Sequence, residues 1–329
     1  MLTVPLPKGS TVQGTTSGHF WTGATLATLA QFSVTLGVGM WASSKLDVQQ
    51  EFTHYAPRRR TQPAYIGTVP RSGPVTKPKP KVLDPRQWRP FVLTKKEEVA
   101  PNVYYMVFGL PRPDDVLGLP TGQHIALRAS IDGQMVSRSY TPVSNNNDLG
   151  RIELLIKVYP NGAMTKHLEG MKIGETIDIR GPKGAMQYSR DYAQHIGMIA
   201  GGTGITPMYQ LIRAICEDPH DKTKISLLYA NNTEDDILLH DELDGFAHSC
   251  PDKFQMQHIL SRPQESWEGY RGFVSGEMIT AHLAPAEAQN KMLLCGPPPM
   301  LAAMKKTLAG MGWTMPGAMA KATDQVFLF

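Results

Sequence analysis

Residues 195–217 constrain this chain most. IGMIA, at residues 196–200, is an apolar run of strand length, and AGGTGITPM, residues 200–208, overlaps its end. Residues 207–217 then place Met208, Leu211, Ile212 and Ile215 on one helical face. A strand that turns through glycine into an amphipathic helix is the repeating unit of a parallel sheet, because parallel strands need a long crossover that also covers the sheet. The same rhythm runs to the C-terminus. Strands are expected at 225–230, 254–260 and 291–295, with helices in the 235–246 region and at 276–283 and 300–309.

Upstream the period changes. Short strands are expected at 89–95, 102–108, 123–129, 135–140, 151–158 and 176–181, separated by the turn sequences PRPDD, Asp132-Gly133, NNND and PNG. A short helix is expected at 164–169. Closely spaced strands with tight turns describe an antiparallel barrel or sandwich, and the chain is read as a β-barrel followed by a Rossmann-like parallel α/β domain. The expected boundaries are an N-terminal segment at 1–48, a basic Pro-rich linker at 49–87, the barrel at 88–190 and the α/β domain at 191–329.

Charge sharpens that division. The whole chain carries +4, yet residues 57–90 hold nine Lys and Arg against Asp84 alone, a charge of +8. Residues 1–56 sum to zero, which leaves −4 on the remaining 239. The basic excess therefore belongs to the linker, whose prolines make it a stiff spacer. From Gly9 to Ser44 there is no Asp, Glu, Lys or Arg, and residues 22–42 have the length of a membrane-spanning helix, diluted by Thr, Ser and Gly. A single N-terminal anchor is expected there, with the basic flank on the cytoplasmic side. Cys216, Cys250 and Cys295 form no CxxC pair, which excludes a disulfide scaffold and a cysteine zinc site. No metal ligand set is expected, and no nucleic-acid partner.

Four motifs carry chemistry. RSYTPVS, residues 138–144, ends a strand with a phosphate-binding side chain in Arg138 and a flat ring in Tyr140. IKVYPNGAMTKHL, residues 156–168, runs through Gly162 into a helix whose first amides suit an anion. In AGGTGITPM, Gly202 and Gly204 supply a nucleotide turn, with Thr206 expected to cap the helix and Pro207 at its first position. The third glycine of the usual dinucleotide fingerprint is missing. CGPPPM, residues 295–300, stands at the end of a parallel strand, the edge where open α/β sheets bind ligands.

In this order and spacing the four motifs resemble the ferredoxin–NADP reductase superfamily, and within it the NADH–cytochrome b5 reductase family. The resemblance covers roughly residues 89–329, including the terminal FLF. It implies an FAD-binding barrel followed by an NAD(P)H-binding domain. Arg138, with Ser139 beside it, would bind the FAD phosphates. Tyr140 would lie along the flavin, and Thr141 would bond near its N5. Gly162, Met164 and Thr165 would hold the pyrophosphate by backbone and hydroxyl contacts. Leu155 and Lys157 occupy the matching strand, with Lys157 also near the nicotinamide nucleotide. Gly201, Gly202, Thr203, Gly204, Thr206 and Pro207 would receive that nucleotide. Cys295, Gly296, Pro297 and Pro298 would position its ring. Thr141 and Cys295 are the two residues expected beside the reacting atoms.

The implied reaction is hydride transfer from NADH to FAD, then single-electron transfer to a haem protein, foremost cytochrome b5. Ser261, followed by Arg262, stands where NADH-specific relatives often carry an acid, so NADPH use is also expected. Lys95, Lys96, Lys166, Lys172 and Lys183 are candidates for a docking patch. The implied setting is a monomer on the endoplasmic reticulum membrane, with the mitochondrial outer membrane as alternative. Two other readings stay open at this point: a dedicated donor to a membrane oxygenase or desaturase, and a flavin-free nucleotide-binding scaffold.

Overall fold

The computed structural model describes residues 81–318 and 320–329. The expected anchor at 22–42 and nearly all of the expected linker lie outside the described residues. Among the described residues no helix is long and apolar enough to cross a membrane.

The first half is an antiparallel sheet of β1 (Arg89–Ala100), β2 (Val103–Gly109), β3 (His124–Ile131), β4 (Gln134–Tyr140), β5 (Arg151–Lys157) and β6 (Thr176–Lys183). The strands pair in the order β4-β3-β6-β1-β2-β5. β4 and β5 are thus the two edges, and the segment after β4 closes the gap between them. Val143 N donates to Glu153 O on β5, and Glu153 N donates back to the Ser144 hydroxyl. Helix α1 (Ala163–Gly170) packs against β3 and β4. The barrel core joins alternating residues of the strands, Leu93, Met106, Phe108, Ile125, Leu127, Ile152 and Leu154, to Met164 and Leu168 of α1. Val82 and Leu83 already pack into it, bonding Val116 and Leu117.

The second half is a six-stranded parallel sheet, in the order β10-β9-β8-β7-β11-β12. Its strands are β7 (His195–Gly201), β8 (Lys224–Asn231), β9 (Phe254–Leu260), β10 (Tyr270–Arg271), β11 (Asn290–Cys295) and β12 (Val326–Leu328). Helices α2 (Ile205–Glu217), α3 (His240–Ser249), α4 (Gly276–His282) and α5 (Pro298–Gly310) cover its two faces. The sheet is buried on both sides, so β7 and β8 read as near-continuous apolar runs.

Three local details differ from the sequence expectation. The 235–246 region splits: Thr233 and Asp236 close a capping box on a single 3-10 turn, and Leu239 at φ 56° breaks the chain before α3 begins at His240. β10 and β12 are two and three residues long, too short to show a pattern. Helix α2 starts at Ile205 with Gly204 as its cap, so Thr206 lies inside the first turn and donates to Thr203 O. Pro207 falls at the third helical position, where its missing N–H is also harmless.

The two halves share packing. Val103, Val143, Leu155 and Met186 of the barrel lie in the same core cluster as Ile205, Met208 and Ile212 of α2. Gln210 on α2 accepts from Gly122 N and donates to Gln123 O. Arg213 pairs with Asp148 at 2.5 Å and donates to Val143 O. These ties fix the barrel against α2.

Candidate functional site

From β7 the chain steps outward through β8, β9 and β10, then crosses back to lay β11 on the other side of β7. The crevice beyond β7 and β11 is therefore the switch point of the sheet, the place where open α/β folds bind nucleotides. Two of the four motifs meet there. A Cβ on Gly204 would lie 2.3 Å from the carbonyl oxygen of Cys295, so only glycine lets the two turns touch. Gly202 is different. It has φ +53° and nothing within 4 Å of a Cβ, so its backbone faces open space in a conformation that suits glycine. Gly201 ends β7 buried beneath Met300 and Pro297, and Thr203 is half-buried beside it.

Other residues hold this turn in place. Tyr229 is fully buried on β8; its hydroxyl donates to Gly202 O and accepts from Leu238 N. Cys295 and Gly296 are half-buried, and Pro297 and Pro298 are exposed where α5 begins. Burial lifts the Cys295 thiol to about 11, so it stays protonated and is no nucleophile at neutral pH. The C-terminal residues Val326–Leu328 form β12 beside β11. Phe329 N donates to Leu294 O, and its ring packs edge-on to Phe327, beside Cys295.

The barrel contributes the other side. β4 is exposed at five of its seven positions, Arg138 and Ser139 among them. Arg138 donates to Ser137 O and, among the described residues, has no ion-pair partner. Tyr140 is half-buried, and burial pushes its phenol up to about 12. Thr141 is half-buried where β4 ends, while the Ser144 hydroxyl is spent on Glu153 N and points inward.

On α1, Gly162 is the N-cap, no side chain caps the helix and no acid stands in its first turn. The Thr165 hydroxyl donates to Gly162 O and accepts from Tyr159 N, so it shapes the turn. Met164 points into the barrel core at 2% exposure, which leaves its amide as its polar contribution. A guanidinium with no ion-pair partner among the described residues, an uncapped helix start and an open glycine turn are donors of the kind phosphates take, so the residues present fit FAD and NAD.

Between the two sides runs β5, which lies against the Gly202–Gly204 turn. Leu155 is buried in the shared core. Lys157 reaches Asp236 of the parallel domain at 3.7 Å, an ion pair across the junction that sequence reading did not find. At the far end of the sheet edge Ser261 follows β9, and its hydroxyl donates to Asn232 Oδ1 at 3.0 Å. Asn231, at the end of β8, is 8% exposed and its side-chain oxygen has no hydrogen-bond partner.

Comparison with known proteins agrees with this geometry. Residues 90–188 match the oxidoreductase FAD-binding domain family, and residues 198–306 match the oxidoreductase NAD-binding domain family. NADH-cytochrome b5 reductase 1 of Debaryomyces hansenii is 51% identical over 248 residues, 75% of this chain and 87% of the relative. That of Aspergillus fumigatus is 50% identical over 256 residues, 76% of this chain and 82% of the relative. Among solved structures, the cytochrome b5 reductase domain of Ulva prolifera nitrate reductase superposes with a TM-score of 0.70 at 35% identity, covering 76% of this chain and all of that one. The CS-b5R domains of human Ncb5or give 0.63 at 26% identity, covering 74% and 69%.

Proposed function

This chain belongs to the NADH-cytochrome b5 reductase family and is an FAD-dependent NADH oxidoreductase; we propose that it passes the electrons singly to cytochrome b5 or a similar haem protein. The observation that carries the proposal is the contact of Gly204 with Cys295 O, which brings both nucleotide motifs to one crevice opposite β5. FAD, when bound, supplies the exchange between a hydride and single electrons.

The chain's own residues bind and align. Arg138 and the α1 amides from Ala163 to Thr165 hold phosphate, the first by a charged fork and the second by dipole and N–H groups. Tyr140 keeps its proton at working pH, offering a flat face and a donor. Thr141 places a hydroxyl at the ring edge. Across the crevice, residues 201–207 receive the nicotinamide nucleotide, and residues 295–298 with Phe329 wall its ring. Cys295 stays a neutral thiol that fills space and excludes water. Alignment of this kind can replace about 7–11 kcal/mol of barrier without an acid–base pair.

Ser261 and Arg262 bear on coenzyme choice. No carboxylate side chain occupies the position after β9, so nothing there repels a 2′-phosphate. NADH is the working coenzyme, and NADPH is expected to retain at least about a thousandth of its kcat/KM, a gap of ~4 kcal/mol. A lower ratio contradicts this assignment.

An acidic haem partner would dock on local lysines. Lys166 and Lys172 are exposed; Lys96 is drawn onto the carbonyls of Glu169 and Met171, and Lys95 pairs with Glu97 at 3.3 Å. The test is steady-state cytochrome b5 reduction against ionic strength. A steep fall with salt supports docking by charge; NADH–ferricyanide activity without any cytochrome b5 reduction refutes the partner. We also propose residues 22–42 as an anchor to the endoplasmic reticulum membrane, holding a monomer. Fractionation of cells expressing the chain with and without residues 1–48 checks it: loss of membrane association only in the shorter chain is expected.

A further inference from the structure

Away from the crevice, the start of α3 and the middle of β9 bring three metal-ligating side chains together. His240 is the first residue of α3, and Asp244 lies one turn on, on the same face, with 3.7 Å between His240 Nε2 and Asp244 Oδ2. His258, in the middle of β9, sits beneath them. Its ring centroid is 5.2 Å from that of His240, in an edge-on arrangement. One ligand atom from each residue can be chosen so that all lie within 4.8 Å of one another.

His258 adds an independent observation. Both of its ring nitrogens are buried and neither has a hydrogen-bond partner. A neutral imidazole has one donor and one acceptor to satisfy, and leaving both unmet inside a protein is costly. Tyr229 and Trp267 pack around the ring and give it walls but no polar partner.

We propose that His240, Asp244 and His258 form a binding site for a divalent cation of the zinc type, fastening the start of α3 to β9. Two imidazoles and one carboxylate are a donor set for such an ion, and three protein ligands leave a fourth position for water. Ligands of tetrahedral zinc stand about 3.4 Å apart, so the three atoms must close by roughly an ångström. His240 and Asp244 are the two that can move, with side chains 48% and 54% exposed, while His258 is held by its walls. Asp241 and Glu242 in the same first turn add negative charge around the ion. His258 lies three residues before Ser261 on the same strand run.

The test is isothermal titration of ZnCl2 into chelator-stripped, untagged, full-length holoenzyme. One Zn2+ per chain is expected, with Kd below about 10 μM. Co2+ in its place is expected to show the visible absorption of a tetrahedral site. His240→Ala and Asp244→Asn change exposed residues and so keep the fold; each is expected to weaken binding by about tenfold or more at unchanged flavin content. His258→Gln is expected to abolish it. Cys216→Ser serves as a control and is expected to bind as the parent does. Absence of binding below about 100 μM overturns the proposal. So does equal affinity in His240→Ala, or loss of binding in Cys216→Ser.

Discussion

The two sides of the crevice are built in opposite ways. On the parallel-sheet side the site is made of backbone: Gly204 against Cys295 O, Gly201 under Met300, and Gly202 held by the Tyr229 hydroxyl. On the barrel side it is made of exposed side chains and an uncapped helix, along a strand that contributes little to the core. The difference teaches where folding and binding are the same event. A nucleotide turn closed by glycines is also a packing contact, so damage to it reaches stability. Arg138 has almost nothing to do with folding, so damage to it reaches the ligand alone.

The largest effect is therefore expected from Gly204→Ala. Its Cβ meets backbone, which cannot move aside as a flexible side chain could. A destabilisation of about 3 kcal/mol is expected, read as a fall of roughly 6–12 °C in melting temperature. NADH oxidation should fall with it. A well-folded, active Gly204→Ala protein would break the comparison at its root. Arg138→Ala should do the reverse. It removes charged hydrogen bonds of about 1.5–3 kcal/mol, so FAD affinity should drop between about tenfold and a hundredfold. Circular dichroism and the melting temperature of the flavin-free protein should stay as in the parent.

A smaller effect is expected at the far end of the sheet edge. Ser261→Asp sets a carboxylate where a 2′-phosphate would approach, and should lower kcat/KM for NADPH by about tenfold or more, with NADH little changed. The smallest concerns Cys295. Burial raises its thiol from 9.0 to about 11 on folding. The unfolded chain loses that proton first, so the stability linked to it is complete below pH 9 and declines as pH rises toward 11. Cys295→Ala should flatten that alkaline decline in thermal melts. Because the thiol is neutral throughout, the pH profile of NADH oxidation between about 6 and 8 should keep its shape.

Sequence made the two-part architecture legible because each half has its own period. Alternating strands with PRPDD, DG and PNG turns describe the barrel, and β7 running into α2 describes the α/β domain. The order of the four motifs made the crevice legible as well. What sequence did not show depends on contacts between distant segments. β10 and β12 exist only through their neighbours β9 and β11. The Lys157–Asp236 pair crosses the domain junction, and Gln210 bridges back to residues 122 and 123. Tyr229 looks like any apolar strand residue until its hydroxyl is seen on Gly202 O. Thr206 followed by Pro207 reads as a cap and a first turn. In the structure the helix starts two residues earlier, at Ile205, where Gly204 lies against Cys295 of β11.

The central claim is that the two sides work as one site, with electrons entering from NADH and leaving singly. Anaerobic stopped-flow mixing of the purified full-length protein with one equivalent of NADH, followed by oxidised cytochrome b5, tests it most directly. Bleaching of the flavin absorbance by that single equivalent is expected, and then reduction of two equivalents of cytochrome b5 as the flavin colour returns. A flavin that stays oxidised in excess NADH, or a protein that carries no flavin, would contradict the account.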